Sequence, residues 1–386
     1  MKTRIFLIAG EASGDQLGAG LIAALKRARE NCEFLGVGGA KMVNAGLISL
    51  FPFDEIAVMG FLPVLRHLPH LMRRLDETVA AVLHMKPDAL VLIDSPDFTH
   101  RVARRVRRSL PHLPVIDYVS PTVWAWRQGR ARRMRAFIDH VLALLPFEPE
   151  AYRRLGGPAC SYVGHPLIER LTDLVPRKED LLRRNQDPPL LVVLPGSRLH
   201  EVERLLPIFA ETLKRVQEKA GPLEVVLPAV SHLETMIREE VATWPVAVHV
   251  VGTEAEKFST FRRARAALAA SGTVTLELAL AQVPQIVAYR VSTVESLARF
   301  FIKVPSIVLP NLILGRNVFP EFLQERCTPD ALADALIEIL EKGPARQRQI
   351  ESFDEIALRL ALPAGQSPSM RAASITLETI ARRTQT

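Results

Sequence analysis

Cysteine is scarce. Cys32, Cys160 and Cys327 are the only three in 386 residues, far apart and without a CxxC pair. That excludes a disulfide framework and a cysteine-based zinc site, and it fits a reducing cytoplasm. No run of about 18 apolar residues occurs, so no transmembrane helix is expected. The apolar run Ile5 to Ala9 is too short for a signal-peptide core and is closed at once by Glu11. Low-complexity tails and short-period repeats are missing as well. What is present is ordinary globular material. The chain is 48% apolar and 24% charged, enough at this length for two cores.

Acids are missing from one stretch. Between Arg101 and Arg135 ten arginines face a single acid, Asp117, a local +9 in a chain whose net charge is +7. Such a patch attracts phosphate, nucleic acid or anionic lipid. Arg101, Arg104, Arg105 and Arg108 share one helix face, the usual pattern of a solvated face. Base-stacking aromatics are absent there and no nucleic-acid module appears, so no nucleic-acid partner is expected. A second stretch without acids, Val58 to Leu75, sets Phe61, Leu62, Val64, Leu65, Leu68, Leu71 and Met72 among arginines and histidines. Pro63 and Pro69 are expected to break it into short pieces. Apolar bulk edged with bases suits a membrane surface or an acyl chain. A helix packing on the core is the competing reading.

Elsewhere short apolar runs alternate with amphipathic segments. Expected strands are 4–9, 33–37, 89–94, 114–119 and 140–145, then 190–194, 224–228, 247–251, 266–270 and 285–289. Between them lie helical patterns at 17–29, 102–110, 202–220 and 273–281. Strands apolar on both faces, alternating with helices, indicate parallel sheets. Ten strands are many for one sheet, and the polar stretch 173–189 divides them. The expected fold is α/β, two Rossmann-like domains facing across a cleft. The domains are 1–168 and 189–345, with a C-terminal helix at about 355–386 able to pack back on the first.

Each strong motif follows a strand. Gly10-Glu11-Ala12-Ser13-Gly14-Asp15 is a glycine turn whose two acids disfavour a pyrophosphate and suit sugar hydroxyls; Asp15 as a helix cap is the alternative. Asp94-Ser95-Pro96-Asp97 puts two carboxylates at a strand's carboxyl end, where ligands of parallel sheets bind. Asp94 is the candidate general base, and Asp97 reads as a helix cap. The stretch 119–127, VSPTVWAWR, suits sugar stacking or a packed loop. Gly196-Ser197-Arg198 offers a permissive turn and a bidentate phosphate donor. Ser271-Gly272-Thr273 opens a helix and forms a diphosphate cradle, with Glu277 one turn on to accept ribose hydroxyls. Asn311, in LPNLILGRN, and Glu321 with Gln324 are weaker candidates for orienting a sugar.

These segments, together with LPFE at 145–148 and GHP at 164–166, stand in an order and spacing that resembles the lipid-A-disaccharide synthase family. The resemblance runs from about residue 4 to beyond residue 340. It implies a GT-B fold glycosyltransferase of Gram-negative bacteria, with no metal and no cofactor. The implied reaction joins UDP-2,3-diacylglucosamine to 2,3-diacylglucosamine 1-phosphate (lipid X) with inversion. It further implies Asp94 as base and Glu11 positioning a sugar. Arg198, Ser271, Gly272, Thr273, Glu277 and Asn311 would surround the UDP-sugar, and Phe61 to Met72 the acyl chains or the membrane. The location implied is cytoplasmic, peripheral on the inner face of the inner membrane, with an anionic lipid surface as partner and a homodimer among the assemblies. A UDP-N-acetylglucosamine 2-epimerase, a cell-wall GlcNAc transferase and a peripheral binding module are the alternatives.

Overall fold

Runs of Val, Leu, Ile and Ala that are apolar on both faces must be covered on both faces, and the computed structural model shows two such sheets. It describes residues 2–56, 61–291 and 304–384. The chain divides into two compact units, Met1–Ile168 with Leu362–Thr386, and Glu169–Ala361. The first unit holds β1 (Thr3–Ala9), β2 (Cys32–Gly38), β3 (Leu47–Pro52), β4 (Ala89–Ile93), β5 (Val115–Tyr118), β6 (His140–Ala143) and β7 (Ala159–Tyr162). Their order is β3-β2-β1-β4-β5-β6-β7. The second holds β8 (Leu190–Leu194), β9 (Glu224–Pro228), β10 (Val248–Val251), β11 (Ala266–Ala270), β12 (Gln285–Tyr289) and β13 (Glu321–Leu323), ordered β10-β9-β8-β11-β12-β13. The strand pairings within both sheets are parallel, and β4, β8 and β11 are buried along their whole length.

All ten expected strands are present within two residues of their expected ends. The three that were not expected, β3, β7 and β13, lie at sheet edges and are only partly buried. An edge strand does not need two apolar faces, so its sequence carries no apolar run. Three helices start earlier than their apolar period does. They are Ala12–Ala28, Pro96–Ser109 and Leu199–Ala220, the second with Pro at its N-terminus, where the missing N–H costs nothing.

The stretch expected to break at its prolines is one helix, Phe61–Met85. Pro63 falls in the first turn, whose N–H groups have no helical acceptor, and Pro69 is accommodated inside. Residues 57–60, and the side chains of Phe61, Leu62, Val64 and Leu65, lie outside the described residues. Leu68 is 41% exposed, whereas Leu71 and Met72 are half-buried against the core that contains Leu75. Those two side chains pack in part against the core.

The last helix, Pro368–Thr384, packs on Ala12–Ala28 through buried Ala372 and Ala373, and Arg371 Nε donates to the Tyr162 carbonyl at 2.8 Å. The preceding helix, Pro344–Leu360, belongs to the second unit. The polar stretch 173–189 carries the helix Lys178–Arg184, also part of that unit. Its buried Arg184 donates to the carbonyls of Phe261, Arg262, Ala281 and Gln282, at the C-terminal ends of the helices Glu254–Arg263 and Val274–Leu280. A cation there answers both helix dipoles.

Candidate functional site

In each sheet the strand order reverses between the unit's first and fourth strands, β1 and β4, then β8 and β11. Turns leaving the carboxyl ends of such a pair open the crevice in which open α/β sheets bind ligands. In the first unit these turns are Gly10–Ser13 and Asp94–Ser95. Both Asp94 (φ 59°) and Ser95 (φ 45°) are left-handed, a conformation non-glycine residues avoid and that clusters at functional sites. The strain is held from several sides. Asp94 N donates to the Tyr118 carbonyl at 3.1 Å, and Thr99 Oγ1 donates to the Asp94 carbonyl at 3.0 Å. The Asp94 carboxylate accepts from Ser95 N at 2.8 Å and from the Ser13 hydroxyl across the crevice. Burial pushes the Asp94 carboxyl above its ordinary value and the charge of Asp117 adds to this, against the opposing pull of the Ser95 and Ser13 hydrogen bonds.

The other acids of these turns differ in role. Glu11 is half-buried at the N-cap of Ala12–Ala28. Asp15 is buried and accepts from the N–H groups of Gly39, Lys41 and Met42, so it caps the helix Ala40–Ala45. Asp97 is exposed in the first turn of its helix, 3.7 Å from Arg130.

Behind the turns, Trp124 Nε1 donates to Glu148 Oε1 at 3.0 Å, and Leu145 N to Oε2 at 2.8 Å. Complete burial pushes Glu148 up to about 7. The LPFE motif is thus the anchor of the 119–127 loop. Trp124 packs inward, while Trp126 is 42% exposed with Arg127 stacked 4.3 Å from its ring. Asp76, Asp97 and Asp139 pair with three of the ten arginines, Arg105, Arg130 and Arg107. Arg104, over the Phe137 ring at 5.1 Å, is pushed down by burial and by the charges of Arg130, Arg101 and Arg133. Those four make a like-charged cluster beside the Asp94 helix.

In the second unit the turns Gly196–Arg198 and Ser271–Thr273 line one pocket of about 570 Å³, together with Glu277, the 228–231 and 252–254 turns, and Lys257. Gly196 stands at φ +121°, and a Cβ on it would come within 2.9 Å of Glu201 Oε2. Gly272 and Thr273 are exposed to the pocket, and Ser271 Oγ donates to the Ile307 carbonyl at 2.9 Å. Glu277 Oε2 lies 2.9 Å from Lys257 Nζ, off the line of a good hydrogen bond, so this buried oxygen is left without one. An oxygen so placed is ready to accept from a ligand hydroxyl. Lys257 has no motif around it and is legible only as the partner of Glu277.

Asn311 lies outside this pocket's lining, and its carboxamide is fully engaged. Nδ2 donates to the Phe319 carbonyl at 2.9 Å, and Oδ1 accepts from Val318 N and Phe319 N. At 2% exposure it staples its own loop, which corrects its reading as a donor contact. Glu321 and Gln324 likewise bond backbone, at Ile307 N and Val291 N. Among the described residues no helix is long and apolar enough to cross a membrane, and no group of three or more His, Cys, Asp or Glu could hold a metal.

Comparisons with known proteins agree with this layout. A putative UDP-N-acetylglucosamine 2-epimerase from Listeria monocytogenes superposes with a TM-score of 0.64 at 13% identity, covering 100% of this chain and 98% of that one. Acinetobacter baumannii MurG superposes at 0.58 and 13%, covering 98% and 100%. These likenesses show the GT-B fold. In sequence, the lipid-A-disaccharide synthase of Nitrobacter hamburgensis is 54% identical over 380 residues, 98% of this chain and 96% of its own. That of Nitrobacter winogradskyi is 55% identical over 379 residues, 97% and 95%. The family model described as Lipid-A-disaccharide synthetase matches residues 5–372, so every turn described above falls inside the match. The chain belongs to the lipid-A-disaccharide synthetase family.

Proposed function

We propose that the chain is an inverting glycosyltransferase joining UDP-2,3-diacylglucosamine to 2,3-diacylglucosamine 1-phosphate, giving the β-1′,6-linked disaccharide 1-phosphate and UDP. Family membership supports the reaction, and the setting of Asp94 supports the assignment of roles. An α-linked donor and a β-linked product require a single displacement. Asp94 takes the proton of the acceptor 6-hydroxyl as that oxygen attacks the anomeric carbon. The bond from that carbon to the diphosphate breaks, and its electron pair leaves with UDP. A carboxyl held above its ordinary value is the stronger base, better matched to work near neutral pH. Glu11 positions a sugar hydroxyl on the same face.

The second unit supplies the nucleotide site. The Ser271–Thr273 turn and Arg198 meet the diphosphate and offset the charge of the leaving group. Glu277 accepts the ribose hydroxyls. The arginine cluster on the first unit meets anionic headgroups or the acceptor's phosphate, which makes the protein peripheral on the inner face of the inner membrane. The homodimer implied by the resemblance belongs to the same reading.

The test is disaccharide formation from the two named substrates by wild type and Asp94→Asn. Wild type forms product, and the variant loses about 10²–10⁴-fold in kcat, the ordinary contribution of a positioned base. A wild type that forms no disaccharide rejects the reaction. A variant with near-normal kcat rejects the base.

A further inference from the structure

His100 and Asp117 belong to none of the turn motifs, yet both are buried, at 0% and 1% exposure. Asp117 stands on β5 in register with Leu92 of β4, two residues short of Asp94. His100 comes from the helix that follows Asp94, and its Nε2 lies 3.0 Å from Asp117 Oδ2. Against the other ring nitrogen, Nδ1, stands Arg130 Nη2 at 3.4 Å, which also donates to the Pro96 carbonyl at 3.2 Å. A guanidinium can only donate, so Nδ1 is the accepting nitrogen and the imidazole proton sits on Nε2, donated to Asp117. The Phe137 ring closes the remaining side at 5.4 Å.

We propose that Arg130, His100 and Asp117 form a positioning array for Asp94: Arg130 sets the tautomer, the imidazole N–H holds Asp117 as a buried anion, and that anion stands behind Asp94 and keeps it basic. The inference rests on Asp94 being the base. The buried Asp117 carboxylate needs a donor, and the His100 N–H supplies it; Arg130 beside Nδ1 leaves that N–H on Nε2.

The surrounding groups leave Asp117 as the anion that matters. Tyr152 and Cys160 are both pushed up, by burial first and by the charge of Asp117 among the rest, so both stay neutral. Glu148 is neutral up to about 7. Asp97 is exposed and faces Arg130, and Arg101, Arg104 and Arg133 lie on the outer side of the two helices. Ser13 faces Asp94 from the opposite turn, its hydroxyl donating to the carboxylate.

The experiment is the pH profile of kcat and kcat/KM for the full chain with both substrates, beside thermal midpoints for each variant. Asp117→Asn keeps the shape and removes the charge. Its acidic limb moves to lower pH and its plateau kcat falls, with the donor KM unchanged. His100→Leu strips Asp117 of its donor and moves the limb the same way. His100→Gln, whose amide still donates to Asp117, restores the limb. A merely structural pair would lower the thermal midpoint and leave the limb in place, and that result overturns the array. Nitrogen-15 NMR of labelled histidine in the wild type reads the tautomer without any substitution, and a proton on Nδ1 overturns it too. Asp94→Asn separates the two claims. If it is inactive while the Asp117→Asn limb stays put, the array alone fails. If it is active, the base fails and the array with it.

Discussion

At Gly10 the two turns of the first unit come close together. A Cβ built there falls on the Oγ and Cβ of Ser95, well inside the 3.0 Å that real Cβ atoms keep, while the next atom, Ser95 Cα, is 3.9 Å away. Ser95 cannot simply swing aside. Its Oγ can rotate away, but its Cβ is fixed to a backbone at φ 45° that caps the helix Pro96–Ser109 and donates its N–H to Asp94. Its carbonyl accepts from Phe98 N and Thr99 N. Relief in Gly10→Ala therefore moves the Asp94–Ser95 backbone by roughly 1 Å toward normal contact. A misplacement of that size costs about 10²-fold in rate. Overpacking at one turn costs about 1–3 kcal/mol of stability, which leaves the protein folded. The assay is kcat for disaccharide formation beside calorimetric UDP binding. The kcat falls about 10²-fold, and UDP affinity stays as in wild type because the proposed nucleotide pocket belongs to the second unit. The second-site variant is the sharper measurement. Ser95→Gly removes both offending atoms, leaves Cα in ordinary contact, and suits a left-handed φ. Ser95 makes no side-chain cap bond, so little is lost with it. Gly10→Ala with Ser95→Gly then recovers most of the lost rate. A Gly10→Ala enzyme within about threefold of wild-type kcat refutes the idea that these turns fix the base, and a double variant no better than the single one refutes the clash as the cause.

Glu277→Gln keeps the shape of the side chain and removes the charge that faces Lys257. It weakens UDP binding by about ten- to hundredfold by calorimetry, the worth of hydrogen bonds to a charged acceptor, and an unchanged Kd removes the ribose role. Glu148 has a folded-state value raised from 4.5 to about 7, so its contribution to stability is complete below the lower figure and is lost as pH rises through the higher one. The loss approaches about 3 kcal/mol by pH 8. In denaturation followed by tryptophan fluorescence, Glu148→Gln is the less stable protein at pH 5, where its amide meets the Leu145 N–H, and the gap narrows toward pH 8. A gap independent of pH shows that Glu148 is not the titrating group.

The fold was legible wherever burial on both faces wrote an apolar run into the sequence, as in β1, β4, β8 and β11. It was illegible at β3, β7 and β13, whose edge positions leave Ser49, Ser161 and Glu321 in strands. The site was legible as a set of turns, because glycine and small polar residues at a strand's carboxyl end mark where a ligand can approach. Which residue of each turn meets the ligand was not legible. Asp15 and Glu11 share one motif, yet Asp15 caps a helix that begins 25 residues later, a partner that only the folded chain brings near. Asn311 reads as a sugar contact until its loop closes on both ends of its amide. The opposite error is Asp117. A lone acid among ten arginines, set inside the apolar strand Val115–Tyr118, is a buried charge in need of a partner, and the sequence already carried that signal.

Charge at the two equivalent turns also bears on the proposal that the second unit takes the nucleotide. Both units present the turns after their first and fourth strands, so the backbone alone does not distinguish them. The pocket of the second unit is lined by three acids, Glu201, Glu254 and Glu277, and each is paired with a cation: Arg198 at 2.8 Å, Arg170 at 3.1 Å and Lys257 at 2.9 Å. Two of those cations, Arg198 and Lys257, line the pocket themselves. An incoming diphosphate meets neutralised carboxylates and cations that can turn toward it. Asp94 has no ion pair among the described residues, and Asp117 lies behind it. An anion approaching that turn is repelled, whereas a neutral hydroxyl that must give up its proton is favoured. The pairing of charges therefore favours the proposed assignment, with the donor's diphosphate at Arg198 and Lys257 and the acceptor's hydroxyl at Asp94.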